Sequence, residues 1–262
     1  RYANDRVQSR PVDGSSNEAV AIIHHPDVKR MLMSMRSQVE AARAMACVAG
    51  AAYDAAHYHP DEATRKQNMA VYEFMVPLVK GWSTEMSIEV ASTGVQVHGG
   101  MGFIEDTGIA QFSRDVRITA IYEGTNGIQA MDLVGRKMQD GGEAAFRLID
   151  EVQAGAEAAR AALPDLAGDV WAAAEALRDA TEAMVKAEMN DRFAGAVPYL
   201  RAFALVLGGH FHLRAALAGD AKRVARARVA IKRVLPAHAA ALAEAREGAD
   251  TLYALSAEDL AA

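Results

Sequence analysis

The spacing of apolar residues near the start of the chain constrains the fold most strongly. Val28, Leu32, Met35 and Val39 recur at steps of three and four residues, which places them on one face of a helix. Pro26 suits the first position of that helix, because its missing N–H would have no intrahelical partner there. We predict a long helix from Pro26 to about Tyr58, with this apolar face in the core.

A second long helix is predicted directly after the first. Asp61 is a suitable N-cap, and the helix runs from about Glu62 to Val97. Pro77 lies inside it and predicts a kink, because proline removes one helical hydrogen bond. The glycine-rich stretch at 99–102 ends it.

Composition predicts helices over the rest of the chain as well. Hydrophobic residues make up 51% of the sequence but aromatic residues only 6%, and twelve residues are Met. Ala and Met favour helices, whereas strands prefer β-branched and aromatic residues. We predict an all-α fold with a boundary at Gly141-Gly142. Residues 1–140 form an up-and-down helical bundle, and residues 141–262 form an additional, alanine-rich helical domain.

Charge and cysteine content exclude several functions. The net charge of -6 argues against nucleic-acid binding, and no apolar run is long enough to span a membrane. Cys47 is the only cysteine, which rules out an intrachain disulfide and a cysteine-based zinc site, and we expect it to be buried among alanines. The histidines lack metal-ligand spacing, so no metal is expected. A cytoplasmic location fits this cysteine usage.

The basic run from Lys222 to Arg233 has two interpretations. A solvated helix face is the simpler one. The alternative is a docking surface for an acidic partner or another subunit.

The stretch from Gln96 to Arg136 carries the candidate chemistry. Gly99 and Gly100 let a ligand approach the backbone and leave N–H groups free for a phosphate, although a helix end with a turn explains them equally well. Glu123 stands between apolar residues and a helix start. In a closed apolar cavity its pKa would rise, which suits a general base, whereas a helix-start carboxylate is the plainer interpretation. Arg136 is either an anion-binding residue or an exposed helix arginine.

The order and spacing of these motifs are more specific than any one of them. The stretches Gln96 to Phe103, Arg114-Asp115, Ile121 to Asn126 and Ile128-Gln129 together resemble the C-terminal signature of the acyl-CoA dehydrogenase family. A looser resemblance covers residues 1 to about 140. The chain begins with Arg rather than Met, and we interpret it as the C-terminal part of a longer bacterial member.

The resemblance implies a flavoenzyme that uses FAD to introduce a double bond into an acyl-CoA thioester. In this family a Glu takes the α-proton while the β-carbon gives a hydride to flavin N5. Carried over, the base is Glu123, with Gly124 and Arg136 as substrate-binding residues. The implied flavin contacts, some of them across a subunit interface, are Arg6, Gln8, Gln96, Gly99, Gly100, Thr125 and Asn126.

The resemblance also implies partners and a substrate range. Electron-transfer flavoprotein is the implied electron acceptor, and a homodimer or homotetramer the implied assembly. The β-rich flavin domain of the family is absent here, so the fragment alone should be inactive. Residues beyond 140 and the stretch from His24 to Leu32 resemble long bacterial members, which act on 3-(methylthio)propionyl-CoA or on fatty acyl-CoAs.

Two other functions stay open. An acyl-CoA oxidase would share every motif and differ in passing electrons to oxygen. A non-catalytic relative would keep the helices for assembly or for binding a partner, although the intact sequence Glu123-Gly124-Thr125 argues against this.

Overall fold

The computed structural model describes residues 1–261, and within them the chain is built almost entirely of helices. The only strand-like pairing in this range is an isolated antiparallel bridge between Val7 and Ala21. The all-α prediction is therefore confirmed. Across the same residues, every helix is too short or too polar to pass through a lipid bilayer.

The α-helices are α1 (Tyr2–Asp5), α2 (Pro26–Tyr58), α3 (Glu62–His98), α4 (Gly100–Phe103), α5 (Ile109–Asp115), α6 (Asn126–Gly135), α7 (Glu143–Ala159), α8 (Pro164–Lys186), α9 (Met189–Ala194), α10 (Ala196–Leu217), α11 (Ala221–Val229), α12 (Ala237–Ala245) and α13 (Ala257–Leu260). Turns of 3-10 helix cover Ile22–His24, Glu105–Thr107 and Val116–Ala120, and a π-helical turn covers Ala230–Val234.

The two longest helices, α2 and α3, pack against each other along much of their length. Their observed limits agree with the sequence prediction, because the signals that set them are local. Pro26 opens α2, and the Asp61 carboxylate caps α3 by accepting a hydrogen bond from the Thr64 N–H at 2.8 Å. α3 continues through Pro77, which is buried.

α10 is the central helix of the core. Phe203 at its middle packs on Phe74 of α3, with ring centroids 5.1 Å apart, and on Tyr199, at 5.9 Å. His212 Nε2 lies 2.9 Å from the backbone oxygen of Ser37 in α2. One hydrophobic cluster thus runs from α2 and α3 through α10 to α8, on both sides of the glycine pair at 141–142. The division into two domains stays a prediction.

The basic run combines exposed cations, among them Lys222 and Arg233, with cations that pair within the chain, and its use as a docking surface stays a prediction. Arg223 and Arg226 in α11 pair with Glu40 of α2 at 3.3 and 3.5 Å, while Arg228 pairs with Asp165 at the start of α8. Burial raises the pKa of Glu40, but its ion pairs outweigh burial and hold the pKa below its ordinary value. The run therefore fastens α11 to its own chain.

Two expectations for α2 were wrong, and the first concerns Val39, which is exposed rather than in the core. Cys47 is exposed on α2, because the alanine-rich face of that helix that enters the core does not include it. Leu200, Phe203 and Leu207, which form a stripe along α10, are buried.

Candidate active site

A groove beside the end of α3 brings together most of the predicted flavin residues. It has a volume of about 660 Å³, and its walls come from the N-terminal segment, the start of α2 and the turn between α3 and α4. The predicted residues that line it are Arg6, Gln8, Gln96, Gly99 and Gly100.

The N-terminal segment is held in place by backbone pairing. The Gln8 N–H donates to the Val20 oxygen at 3.0 Å, and the Ile22 N–H donates to the Arg6 oxygen at 2.8 Å. His25 Nε2 lies 2.7 Å from the Gln8 oxygen. These contacts fix the backbone on which the exposed side chains of Arg6 and Gln8 stand.

The glycine turn opposite this segment is required by its geometry. Gly99 ends α3 with φ +59° and ψ −140°, which is open to glycine and disfavoured for other residues. A Cβ on Gly102 would lie 2.2 Å from the Val95 oxygen, so that residue must also be glycine. At Gly99 and Gly100 a Cβ would meet nothing within 4 Å, because both face the open groove.

Glu123 lies in a separate loop, between the 3-10 turn Val116–Ala120 and α6. It is exposed and has φ +54°, an unusual left-handed conformation for a residue with a side chain. Gly124, which follows it, has φ +86°. Residues 1–261 do not form a closed apolar cavity around Glu123.

The loop leaves hydrogen-bond donors free. Within residues 1–261 the N–H groups of Glu123 and Gly124 donate to no oxygen. Thr125, the N-cap of α6, makes no side-chain capping bond, so the first N–H groups of that helix also lack a cap. The carbonyls, in contrast, are occupied: Gln129 Nε2 donates to the Glu123 oxygen at 3.3 Å, and Lys80 Nζ donates to the Gly124 oxygen at 2.7 Å.

Asn126 is 8% exposed and hydrogen-bonded to α3. Its Nδ2 donates to Thr84 Oγ1 at 2.9 Å and to Glu85 Oε1 at 2.8 Å, and its Oδ1 accepts from Lys80 Nζ at 3.0 Å. A direct side-chain contact with flavin stays a prediction for Asn126, whose amide already has these partners. Lys80 and Thr84 could not be predicted from the sequence, because their partners lie more than forty residues away along the chain.

The groove and the Glu123 loop are well separated on one copy of the chain. The loop is attached at Lys80 and the groove begins at Gln96. Because an α-helix rises about 1.5 Å per residue, this stretch of α3 spans about 24 Å. The structure thus separates the predicted groove residues from Glu123, and Thr125 and Asn126 lie with Glu123, at the end of the loop and the start of α6.

The chain matches two family descriptions. Residues 7–139 match "Acyl-CoA dehydrogenase, C-terminal domain", and residues 148–256 match "Acetyl-CoA dehydrogenase C-terminal like". The chain belongs to the acyl-CoA dehydrogenase family.

Curated proteins similar to this acyl-CoA dehydrogenase chain are also acyl-CoA dehydrogenases. It is 51% identical to 3-methylmercaptopropionyl-CoA dehydrogenase of Ruegeria pomeroyi over 76% of the chain and 35% of the relative. It is 35% identical to the broad-specificity linear acyl-CoA dehydrogenase FadE5 of Mycobacterium tuberculosis, over 58% of the chain and 26% of the relative. A butyryl-CoA dehydrogenase of Syntrophomonas wolfei is 35% identical over 52% of the chain and 22% of the relative. The chain therefore spans about a third or less of each of these proteins.

Solved structures show the same fold at low identity. Caenorhabditis elegans ACDH-11 in complex with C11-CoA superimposes with a TM-score of 0.72 at 17% identity, over 89% of this chain and 39% of that one. An acyl-CoA dehydrogenase complexed with FAD from Bacillus anthracis gives 0.66 at 19% identity, over 96% and 46%.

In this family member Arg136 directly follows the last residue of α6 and is exposed. Its Nε donates to Asp132 Oδ1 at 2.6 Å, and this hydrogen bond raises the pKa of the guanidinium. One edge of a permanently charged group remains open to solvent. Among residues 1–261, no group of three or more His, Cys, Asp or Glu side chains is placed to hold a metal ion.

Proposed function

We propose that this chain supplies the catalytic base of an FAD-dependent acyl-CoA dehydrogenase, with Glu123 removing the α-proton of an acyl-CoA thioester. The observation that carries the proposal is the loop itself. Within the matched family region, an exposed carboxylate stands in a constrained conformation beside unused N–H donors.

This arrangement suits the abstraction of a weakly acidic proton. Negative charge moves onto the thioester oxygen as the α-proton leaves, and fixed donors aimed at that oxygen stabilise it by about 3–4 kcal/mol each in comparable sites. The N–H groups of Glu123 and Gly124 are available for this role. Glu123 then needs a cover that excludes water, and the rest of the enzyme would provide it.

The groove at the end of α3 fits the phosphates of a dinucleotide. Arg6 offers a guanidinium, Gln8 and Gln96 offer amides, and Gly99 and Gly100 allow close approach to the backbone. When bound, FAD accepts the hydride from the β-carbon. The distance of the groove from Glu123 supports the prediction that Arg6 and Gln8 serve the flavin of a second copy, in a homodimer or homotetramer.

For the substrate we propose 3-(methylthio)propionyl-CoA, with fatty acyl-CoAs as the alternative. The Ruegeria pomeroyi relative supports the first and FadE5 supports the second. Arg136 is proposed to bind the anionic CoA portion. Electron-transfer flavoprotein in the bacterial cytoplasm is the proposed acceptor.

The decisive experiment compares Glu123→Gln with the wild-type holoenzyme that contains this chain. Anaerobic mixing with 3-(methylthio)propionyl-CoA or with butyryl-CoA should bleach the wild-type flavin. Removing the base should slow bleaching by at least about 10³-fold, within the range of general-base contributions. Glu157→Gln is the matched control, because Glu157 is an exposed residue of α7 paired only with Arg160.

Three results would overturn parts of the proposal. Near-normal bleaching by Glu123→Gln would remove the base assignment. If no acyl-CoA reduces the flavin of the wild-type holoenzyme, the proposed dehydrogenase activity is wrong. Rapid reoxidation by oxygen, in place of electron-transfer flavoprotein, would replace the dehydrogenase with an oxidase.

A further inference from the structure

We propose that Lys80 is a positioning residue for Glu123, tying the catalytic loop to α3 through the Gly124 carbonyl. This inference rests on the proposed role of Glu123 as the base and deepens it. Lys80 does not touch the substrate in this scheme. It holds in place the loop that carries the groups that do.

The contacts of Lys80 surround Glu123. Its Nζ donates to the Gly124 oxygen at 2.7 Å and to Asn126 Oδ1 at 3.0 Å, and it lies 5.9 Å from the centroid of the Tyr122 ring. One ammonium group therefore reaches residues before and after the base. Hydrogen bonds from a charged donor are about twice as strong as neutral ones, so this is a firm attachment.

The charge of Lys80 has no carboxylate partner within 4.0 Å in the described part of the chain, which distinguishes it from the lysines that form ion pairs. Its hydrogen-bond partners are two uncharged oxygens, both from the segment that follows Glu123. A lysine kept only to stabilise helix packing would more simply face an acidic residue. Here the half-buried cation is directed at the loop.

The loop needs such an attachment because its conformation is unfavourable. A left-handed φ at Glu123 brings its Cβ close to the backbone, and an unrestrained loop would relax from it. Peptide planarity then links each bound carbonyl to the next N–H. Holding the Glu123 oxygen through Gln129 orients the Gly124 N–H, and holding the Gly124 oxygen through Lys80 orients the Thr125 N–H.

The anchor is stiff because it stands in the middle of a long helix. Thr84, one turn after Lys80, shares a hydrogen bond with Asn126 and adds a second link between α3 and the start of α6. The loop is thus registered to α3 at two successive turns.

The test measures kcat, KM and the isotope effect of an α-deuterated acyl-CoA in the holoenzyme. Lys80→Met keeps the length of the side chain and removes the donor. We expect kcat to fall about 100-fold, the size of effect that a misplacement near 1 Å produces, with KM changed less than about threefold. The α-deuterium isotope effect should rise, because proton removal becomes fully rate-limiting.

Two variants separate positioning from general stability. Lys80→Arg retains a charged donor of similar reach and should recover at least half of the loss on a logarithmic scale. Lys137→Met removes a half-buried lysine that pairs with Glu73 at 3.0 Å and does not contact the loop, and its kcat should stay within about twofold. If Lys80→Met yields no folded flavoprotein, Lys80→Gln replaces it under the same criteria.

Each outcome bears on a different proposal. An inactive Glu123→Gln with a fully active Lys80→Met would overturn the inference and leave the base assignment intact. An active Glu123→Gln would overturn the base itself. Equal losses in Lys80→Met and Lys137→Met, with an unchanged isotope effect, would reduce Lys80 to a structural residue.

Discussion

α10 and the segment from Met101 to Met131 differ in how far their apolar side chains are exposed. Most residues of α10 are buried, and the helix packs against α2, α3, α6, α7, α8, α11 and α12. The segment that contains the Glu123 loop leaves large apolar residues exposed, among them Phe103, Phe112, Ile118, Ile121, Tyr122 and Ile128.

The difference separates two kinds of sequence requirement. The apolar side chains of α10 are covered by other helices within residues 1–261, so packing in the core determines which residues α10 can have. The segment at 101–131 leaves apolar groups uncovered within residues 1–261, and two of them, Ile121 and Tyr122, directly precede the proposed base. Exposed apolar groups of this kind fit the proposed site, which needs a second surface to exclude water.

The strongest test of this contrast uses one substitution in both regions. Phe203→Ala removes a fully buried ring, and Phe103→Ala removes a ring that is 85% exposed. The first should lower the free energy of unfolding by about 3–5 kcal/mol, because a cavity is left behind. The second should change it by less than about 0.5 kcal/mol. Urea denaturation of both variants provides the measurement, and similar losses would refute the contrast.

A second test uses the pH dependence of stability. Burial, assisted by the nearby charge of Arg214, lowers the pKa of His210 in α10 from 6.5 to about 4. Between pH 6.5 and pH 4 the His210 imidazole binds a proton in the unfolded chain but stays neutral in the folded chain. Stability should therefore fall as pH drops from 6.5 towards 4, by up to about 3 kcal/mol from this residue.

His210→Gln is the comparison for that test. Glu151, whose pKa burial raises, contributes with the opposite sign and is present in both proteins, so the difference between their pH curves isolates His210. His57→Gln, an exposed histidine on α2, should follow the wild-type curve. Parallel curves for wild type and His210→Gln would show that His210 ionises freely.

The smallest expected effects come from two helical glycines. A Cβ on Gly155 would lie 2.5 Å from the His210 ring, whereas a Cβ on Gly127 in the exposed segment would meet nothing within 4 Å. Gly155→Ala should destabilise the fold by about 1–3 kcal/mol through overpacking. Gly127→Ala should stabilise it by about 0.5–1 kcal/mol, since alanine restricts the unfolded backbone. Thermal unfolding measures both, and shifts of the same sign would contradict the comparison.

The sequence predicted α2 and α3 almost to the residue, because Pro26 and Asp61 are local signals that need no partner elsewhere. The residues that line the groove followed from the family resemblance, and the structure placed five of them together. Contacts between distant residues were not predictable. Lys80 meets Gly124, and Arg223 meets Glu40, through the packing of helices far apart in the chain. Cys47 was misplaced because its alanine neighbours indicate a helix but not which side of that helix faces the core.

The continuity of the core across Gly141-Gly142 has a consequence for recombination between relatives. That glycine pair looks like a natural crossover point for a chimaera. A crossover there would take α10 from one parent and both Phe74 and Ser37 from the other. The packing of Phe203 on Phe74 and the contact of His212 with the Ser37 oxygen would then each join residues from different parents. Functional chimaeras should instead exchange α10 together with the facing residues of α2 and α3. The residues after 142 can therefore be exchanged between long family members only if the core residues that contact them are exchanged as well.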